Sequence, residues 1–176
     1  MTTSGSPRLP IGPPHRLECI GRWNGVEWYN DSKATTPHAA AVAIRAFDDI
    51  VLIAGGKDKH VDLAEMAVDR DRVRAVIAIG ETRDAVAAAF AGVDVVETTE
   101  FLPADVARAA ELARTGSTVL LSPGCASLDQ YRSFEARGDH FRELAAAAHP
   151  AAASTTSSPS THTATPTPID GPNGDD

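Results

Sequence analysis

Apolar residues along the chain fall into short runs, and the kind of run changes from one to the next. Residues 17–22 and 26–29 read as two strands joined at Asn24-Gly25, a strong hairpin signal. Residues 37–47 are alanine-rich, with Val42, Ala43 and Phe47 at helical spacing, and predict a helix. Pro37 suits its first turn, where a missing N–H costs nothing, and Thr36 before it is a good cap. The unbroken apolar run over residues 50–54 predicts a strand buried on both faces. The same reading gives a short helix over 62–70 and a buried strand over 73–79 ending at Gly80. A helix over 82–91, a short strand over 93–96 and a helix over 103–114 follow. A strand over 118–121 and a final helix from 128 to about 148 complete the pattern.

Strands alternating with helices, the later strands largely apolar, predict an α/β fold. The sheet is expected to be Rossmann-like and mostly parallel, with helices on both faces and an N-terminal antiparallel hairpin at its edge. The flanks have another character. Residues 1–14 are polar and rich in Pro, Gly and Ser, and read as a disordered lead or linker. From residue 149 the chain is mostly Ser, Thr, Pro and Ala, with Ile169 its only larger aliphatic residue; such a segment cannot bury a core and reads as a disordered tail over 149–176. One domain over 15–148 remains, with no internal repeat.

Composition narrows the function classes. A hydrophobic fraction of 43% supports a real core. A formal net charge of -8 argues against nonspecific nucleic-acid binding and against docking on an anionic membrane, so neither is an expected partner. Cys19 and Cys125 stand far apart in no metal spacing, which indicates neither a disulfide framework nor a zinc site. No apolar run approaches the roughly 20 residues of a membrane span, and residues 1–14 lack the apolar stretch of a signal peptide. A cytoplasmic location is the default expectation.

Three polar or glycine-rich turns, at 30–35, 55–60 and 122–128, leave strands in the sense in which open α/β sheets bind ligands. If the strands are parallel neighbours, these turns share one edge. The first holds Asp31, Lys33 and Thr35 before a helix N-terminus, which suits an anion, or equally a capped turn with Lys33 in solvent. In the second, Gly55 and Gly56 would let the backbone approach a ligand that Lys59 could meet, unless the loop is only an exposed turn. In the third, Ser127 with Gln130 fits a capping box, and Cys125 reads as a small packed thiol, with no histidine placed beside it. Tyr131 and Phe134 read as helix core residues, one of which could line a pocket. Arg16 is either a phosphate clamp or an exposed charge. The histidines form no ligand spacing, the carboxylates form no acid/base dyad, and neither G-x-x-x-x-G-K-[ST] nor G-x-G-x-x-G occurs anywhere.

Taken together, these stretches carry a resemblance. His15-Arg16-Leu17-Glu18, Asn24-Gly25-Val26, Asn30-Asp31-Ser32-Lys33-Ala34-Thr35 and Gly55-Gly56 with Lys59 occur in one order and spacing. Ser122-Pro123, Ala126-Ser127-Leu128-Asp129-Gln130-Tyr131 and Phe134-Glu135-Ala136-Arg137-Gly138 follow. The chain resembles the C-terminal domain of the Mur ligases over roughly residues 14–147, and most of all their D-glutamate-adding members. The resemblance implies an ATP-dependent amide-bond ligase of peptidoglycan synthesis. Such an enzyme joins D-glutamate to UDP-N-acetylmuramoyl-L-alanine through an acyl phosphate, which is largely a task of positioning and charge neutralisation.

The resemblance also implies residue roles. Thr35, Lys59, Ser127, Leu128 and Phe134 match positions that hold D-glutamate. His15, Arg16, Asp31 and Lys33 match positions facing ATP, with Asp31 on the ribose hydroxyls and His15, Arg16 and Lys33 near the reacting phosphates. The family's UDP-binding domain and central ATPase domain have no counterpart in this sequence. The P-loop and the Mg2+ ligands are expected in the central domain, both domains are possible partners in trans, and the chain alone is expected to be inactive. Two alternatives stay open: a ligase of the same superfamily adding another residue, such as a folylpolyglutamate synthase, or a non-catalytic module binding an amino acid or nucleotide.

Overall fold

A computed structural model of the chain describes residues 13–99 and 102–149. The predicted lead and tail lie outside the described residues apart from Pro13, Pro14 and His149. Six strands form one sheet: β1 (Glu18–Trp23), β2 (Val26–Asn30), β3 (Ile50–Gly55), β4 (Val73–Ile79), β5 (Val95–Thr98) and β6 (Thr118–Leu121). Their order is β1-β2-β6-β3-β4-β5. Every neighbouring pair is parallel except β1 with β2, which form the antiparallel hairpin at one edge. The Asn24-Gly25 turn closes that hairpin with φ values of 52° and 77°, the left-handed conformation that a two-residue hairpin loop requires. The expected Rossmann-like α/β sheet is therefore present.

Helices cover both faces. Helices α1 (Pro37–Ile44) and α2 (Arg83–Ala89) lie on one, α3 (Leu102–Leu112) and α4 (Phe134–Ala148) on the other. β3 is buried at every position, and its side chains divide by period two. Ile50, Leu52 and Ala54 join Ala40, Ile44, Val86 and Phe90, whereas Val51 and Ile53 join Val106, Ala109, Phe141 and Ala145. A strand that feeds two cores has no face to spare for polar residues, which explains its unbroken apolar run.

Several predicted boundaries move. The helix expected over 37–47 ends at Ile44, and the strand expected over 93–96 lies at Val95–Thr98. Residues 62–70 form no α-helix but two short 3-10 segments, Leu63–Ala67 and Arg70–Arg72. The largest correction concerns the last helix, which begins at Phe134 rather than near 128. The N–H groups of Gln130 and Tyr131 both turn back to the Ser127 carbonyl, at 3.1 and 2.8 Å. Asp129 accepts from the Glu81 N–H at 3.1 Å, which ties this turn to the end of β4. Ser133, not Ser127, caps α4, accepting from the Ala136 N–H at 3.2 Å. Tyr131 consequently lies ahead of the helix, half-buried, with its hydroxyl 2.9 Å from His140 Nδ1.

One feature of the α3 face departs from an apolar core. Asp105 is fully buried, and neither carboxylate oxygen meets a hydrogen-bond donor among the described residues. Burial pushes its pKa up to about 7. A carboxyl raised in the fold favours the native state at low pH, and that contribution is lost as pH rises through the folded value. Asp105→Asn should therefore stabilise the chain at pH 8, on the order of 2–4 kcal/mol, and leave it nearly unchanged at pH 4. Denaturant melts of both proteins across this range provide the check; a gain independent of pH contradicts it.

Candidate functional site

The carboxyl ends of β2, β6, β3 and β4 lie side by side, so the turns that follow them meet at one edge of the sheet. Backbone hydrogen bonds join them. The Asp31 N–H donates to the Leu121 carbonyl and the Gly124 N–H to the Ala34 carbonyl, each at 2.8 Å. The N–H groups of Gly55 and Lys57 donate to Pro123 and Ala126, also at 2.8 Å. The three turns singled out in the sequence thus form one continuous floor. A fourth joins them: the Thr82 N–H reaches the Gly56 carbonyl at 3.0 Å, and the Thr82 hydroxyl oxygen accepts from the Gly56 N–H at 3.0 Å. Gly80 at the end of an apolar run was its only signal in the sequence.

The two loop glycines are required by the packing of the loop itself. Gly55 and Gly56 have φ of 119° and 149°. A Cβ on them would lie 2.1 Å from the Ile79 carbonyl oxygen and 2.3 Å from that of Ala126. Their freedom is used to press the loop against neighbouring backbone. Beyond them Lys57 pairs with Glu81 at 2.7 Å, while Lys59 is exposed and makes no ion pair among the described residues.

His15, Arg16, Asp31 and Lys33 come together where the chain enters β1. Arg16, Asp31 and Lys33 line a pocket of about 280 Å3, with Leu17 and Val42 on its apolar side. Asp31 is buried; its Oδ1 accepts from the Leu17 N–H at 3.1 Å and its Oδ2 from the Ser122 hydroxyl at 2.8 Å. Burial raises its pKa to about 6, against the opposing pull of these two hydrogen bonds and of Arg16. Each oxygen retains a further lone pair for a ligand hydroxyl. Arg16 and Lys33 are exposed, and the Lys33 ammonium stands 5.7 Å from the Phe134 ring centroid.

His15 stands behind this pocket, buried and held from several sides. Its backbone is left-handed, with φ of 60°, and its N–H donates to Glu18 at 3.0 Å. The Asn30 amide fixes the imidazole. Asn30 Oδ1 accepts from the Ser32 N–H at 3.2 Å, so its Nδ2 is the donor, to the Gly138 carbonyl and to His15 Nδ1, each at 3.1 Å. In the neutral ring the proton then resides on Nε2, which faces Asp139 at 3.6 Å. Glu18, itself buried, is gripped by Arg142 through contacts of 2.8 and 2.9 Å. Gly138 leaves the necessary space, since a Cβ there would lie 2.2 Å from His15 Nδ1. Asn30, Glu18, Gly138 and Arg142 had not been assigned a role from the sequence.

The second predicted group is spread over the same edge. Thr35 is half-buried, Ser127 buried, Leu128 64% exposed, and Lys59 lies exposed on the second loop, 55–60. Phe134 joins the two groups: Lys33 lies over its ring, His15 meets it edge-on at 6.1 Å, and its carbonyl accepts from the Ser32 hydroxyl at 2.8 Å. Cys125 is packed against Thr82 at 3.4 Å, and burial raises its pKa, which is the opposite of an activated nucleophile. Among the described residues no three His, Cys, Asp or Glu side chains are grouped to hold a metal ion. No described helix is long and apolar enough to cross a membrane.

Residues 15–125 match the family described as Mur ligase, glutamate ligase domain. A UDP-N-acetylmuramoylalanine–D-glutamate ligase of Myxococcus xanthus is 50% identical over 135 residues, covering 76% of this chain and 30% of that protein. The protein of the same name from Aquifex aeolicus is 43% identical over 136 residues, covering 76% and 33%. The chain thus spans about a third of the length of the curated relatives it matches. Among solved structures, it shares its fold with a domain from a putative UDP-N-acetylmuramate:L-alanyl-gamma-D-glutamyl-medo-diaminopimelate ligase of Haemophilus ducreyi. The TM-score is 0.54 and the identity 19%, over 76% of this chain and 99% of that one. With its sheet, its edge of joined loops and these relatives in view, the chain belongs to the Mur ligase family and carries that family's glutamate ligase domain.

Proposed function

We propose that residues 15–148 are the amino-acid-binding domain of a ligase that adds D-glutamate to UDP-N-acetylmuramoyl-L-alanine in peptidoglycan synthesis. The observation that carries this reading is the 50% identity over 135 residues with a relative named for that activity. In it, Lys59 pairs with a carboxylate of D-glutamate, while Thr35 and Ser127 donate hydrogen bonds. Leu128 and Phe134 supply the walls. The exposure of Lys59 and its lack of an ion pair among the described residues support its role, because Lys57 nearby is already committed to Glu81.

ATP supplies the phosphoryl group that turns the acceptor carboxylate into an acyl phosphate. The pocket beside Asp31 suits part of a nucleotide: two cations at its rim, a carboxylate with free lone pairs, and apolar Leu17 and Val42. Arg16 and Lys33 hold phosphate oxygens there, Asp31 accepts from ribose hydroxyls, and His15 stands behind them, near the reacting phosphates. With no P-loop in the sequence, the triphosphate cradle and the Mg2+ ligands belong to the central ATPase domain of such a ligase, acting with this chain in the cytoplasm. The missing P-loop equally favours a second reading, a module that binds the amino acid or nucleotide without chemistry.

Two measurements test the proposal. In an amide NMR titration of the chain at millimolar concentrations, D-glutamate should shift Thr35, Lys59, Ser127 and Leu128 saturably and L-glutamate should not. Lys59→Ala should weaken binding about tenfold, as loss of a charge-assisted hydrogen bond does. Equal response to both enantiomers would reject the D-glutamate assignment. Separately, the chain mixed with ATP, Mg2+, D-glutamate and UDP-N-acetylmuramoyl-L-alanine should release no phosphate. Adding the UDP-binding and ATPase domains in trans should restore release; turnover by the chain alone would overturn the division of labour.

A further inference from the structure

Arg137 occupies the second turn of α4 and is 1% exposed. Its bonds all run to neutral oxygens: Nε donates to the Ser32 hydroxyl at 3.0 Å, and Nη2 to the carbonyls of Ser32 at 2.9 Å and Cys125 at 3.1 Å. Nη1 meets no acceptor among the described residues. Desolvation accordingly lowers its pKa to about 10, with Asp129 the foremost group acting against that shift. Burying a cation without a paired counter-ion is costly, and an apolar side chain of the same length would be tolerated better by a core. The charge is therefore a burden that the three bonds must justify.

Two of those bonds end on Ser32 and one on Cys125, in two different loops of the site. Ser32 lies between Asp31 and Lys33 and three residues before Thr35. Cys125 lies two residues before Ser127. The Ser32 hydroxyl, accepting from Arg137, itself donates to the Phe134 carbonyl at 2.8 Å. The free Nη1 would lie 3.2 Å from a Cβ placed on Gly56, so the loop that leads to Lys59 runs directly over the guanidinium. Apart from this side chain, the 31–35 and 122–128 loops are joined by few bonds, notably Gly124 N–H to the Ala34 carbonyl and the Ser122 hydroxyl to Asp31.

We propose that Arg137 is the positioning residue of the amino-acid site: its planar fork sets the spacing between the loop bearing Lys33 and Thr35 and the loop bearing Ser127 and Leu128. It touches no ligand. Nη2 alone spans the Ser32 and Cys125 carbonyls while Nε holds the Ser32 hydroxyl; lysine, whose chain is shorter and which lacks the Nε donor, cannot make these bonds together. This assignment rests on the reading of the edge as an amino-acid site, and its test is separable from that reading.

The test compares native-state amide exchange in the full 176-residue chain, wild type against Arg137→Lys, Arg137→Met and Ser32→Ala. Ser32→Ala removes the acceptor of Nε together with the bond to the Phe134 carbonyl, keeps the guanidinium itself, and serves if the arginine variants do not fold. Arg142→Ala is the control, because Arg142 holds α4 to Glu18 rather than to either loop. The Gly124 and Lys57 amides should exchange about tenfold faster or more in the three variants, while β3 and β6 amides change only with global stability. Lysine should not rescue, and the Arg142→Ala control should leave Gly124 protected. Gly124 protection that persists in the variants, or loss shared equally by every strand amide, overturns the proposal. A parallel D-glutamate titration keeps the two ideas apart. Loosened loops with no glutamate binding by wild type would uphold the positioning role and remove the substrate reading. Firm loops with unchanged glutamate binding would do the reverse.

Discussion

The position of β6 between β2 and β3 is the constraint on which the rest depends. Leu120 pairs with Tyr29 on one side and Leu52 on the other, in parallel register on both. Strands that are neighbours and parallel end together, so three loops distant in the chain are forced to the same edge. The last strand in sequence is thus central in space, and the loop after it, 122–128, touches the loops from both flanks. Their backbone hydrogen bonds follow from that placement. Only then do the side chains of these loops share a common space.

The two ends of the interior differ in character. Between the helices the core is apolar, with Asp105 as its exception. Beneath the loop edge, buried polar and charged groups gather: Glu18, Asn30, Asp31, Ser32, Ser122 and Arg137. Such groups stabilise little when compared with apolar packing, and they fix position because each has few alternative partners. Glu18 illustrates this: it holds the His15 N–H and Arg142 at once, and so joins the entry segment to α4. The carboxyl of Asp31 does the same for Leu17 and Ser122. The edge is stiff where it must present side chains and exposed at Lys33, Lys59 and Leu128, where a ligand or another domain can reach.

The sequence made the sheet legible because strands buried on both faces leave an unmistakable apolar run, as at 50–54, 73–79 and 118–121. The hairpin was legible in two residues, Asn24 and Gly25. Residues 128–133 were misread because Leu128, Tyr131 and Phe134 keep a helical spacing while Asp129 is drawn away by Glu81, a partner 48 residues distant. The site was legible as a set of marker residues, and its loops as strand ends. What holds His15 was not, since the Asn30 to Gly138 bond spans 108 residues and leaves no local pattern. Arg137 was visible only as part of a matching stretch, with nothing in its neighbours to announce its burial.

The two tryptophans of the chain, Trp23 and Trp28, both belong to the β1–β2 hairpin. Trp28 is fully buried against Phe141, and Trp23 stacks on His149 at 5.0 Å, just past the end of α4. Trp23 closes β1 just before the hairpin turn and pairs with Val26, at the far end of the hairpin from Asn30 and the joined loops. Intrinsic fluorescence in this molecule is therefore a gauge of whether α4 is seated on the hairpin. It registers unfolding of that corner and is nearly blind to what occupies the loops at the other end of the sheet.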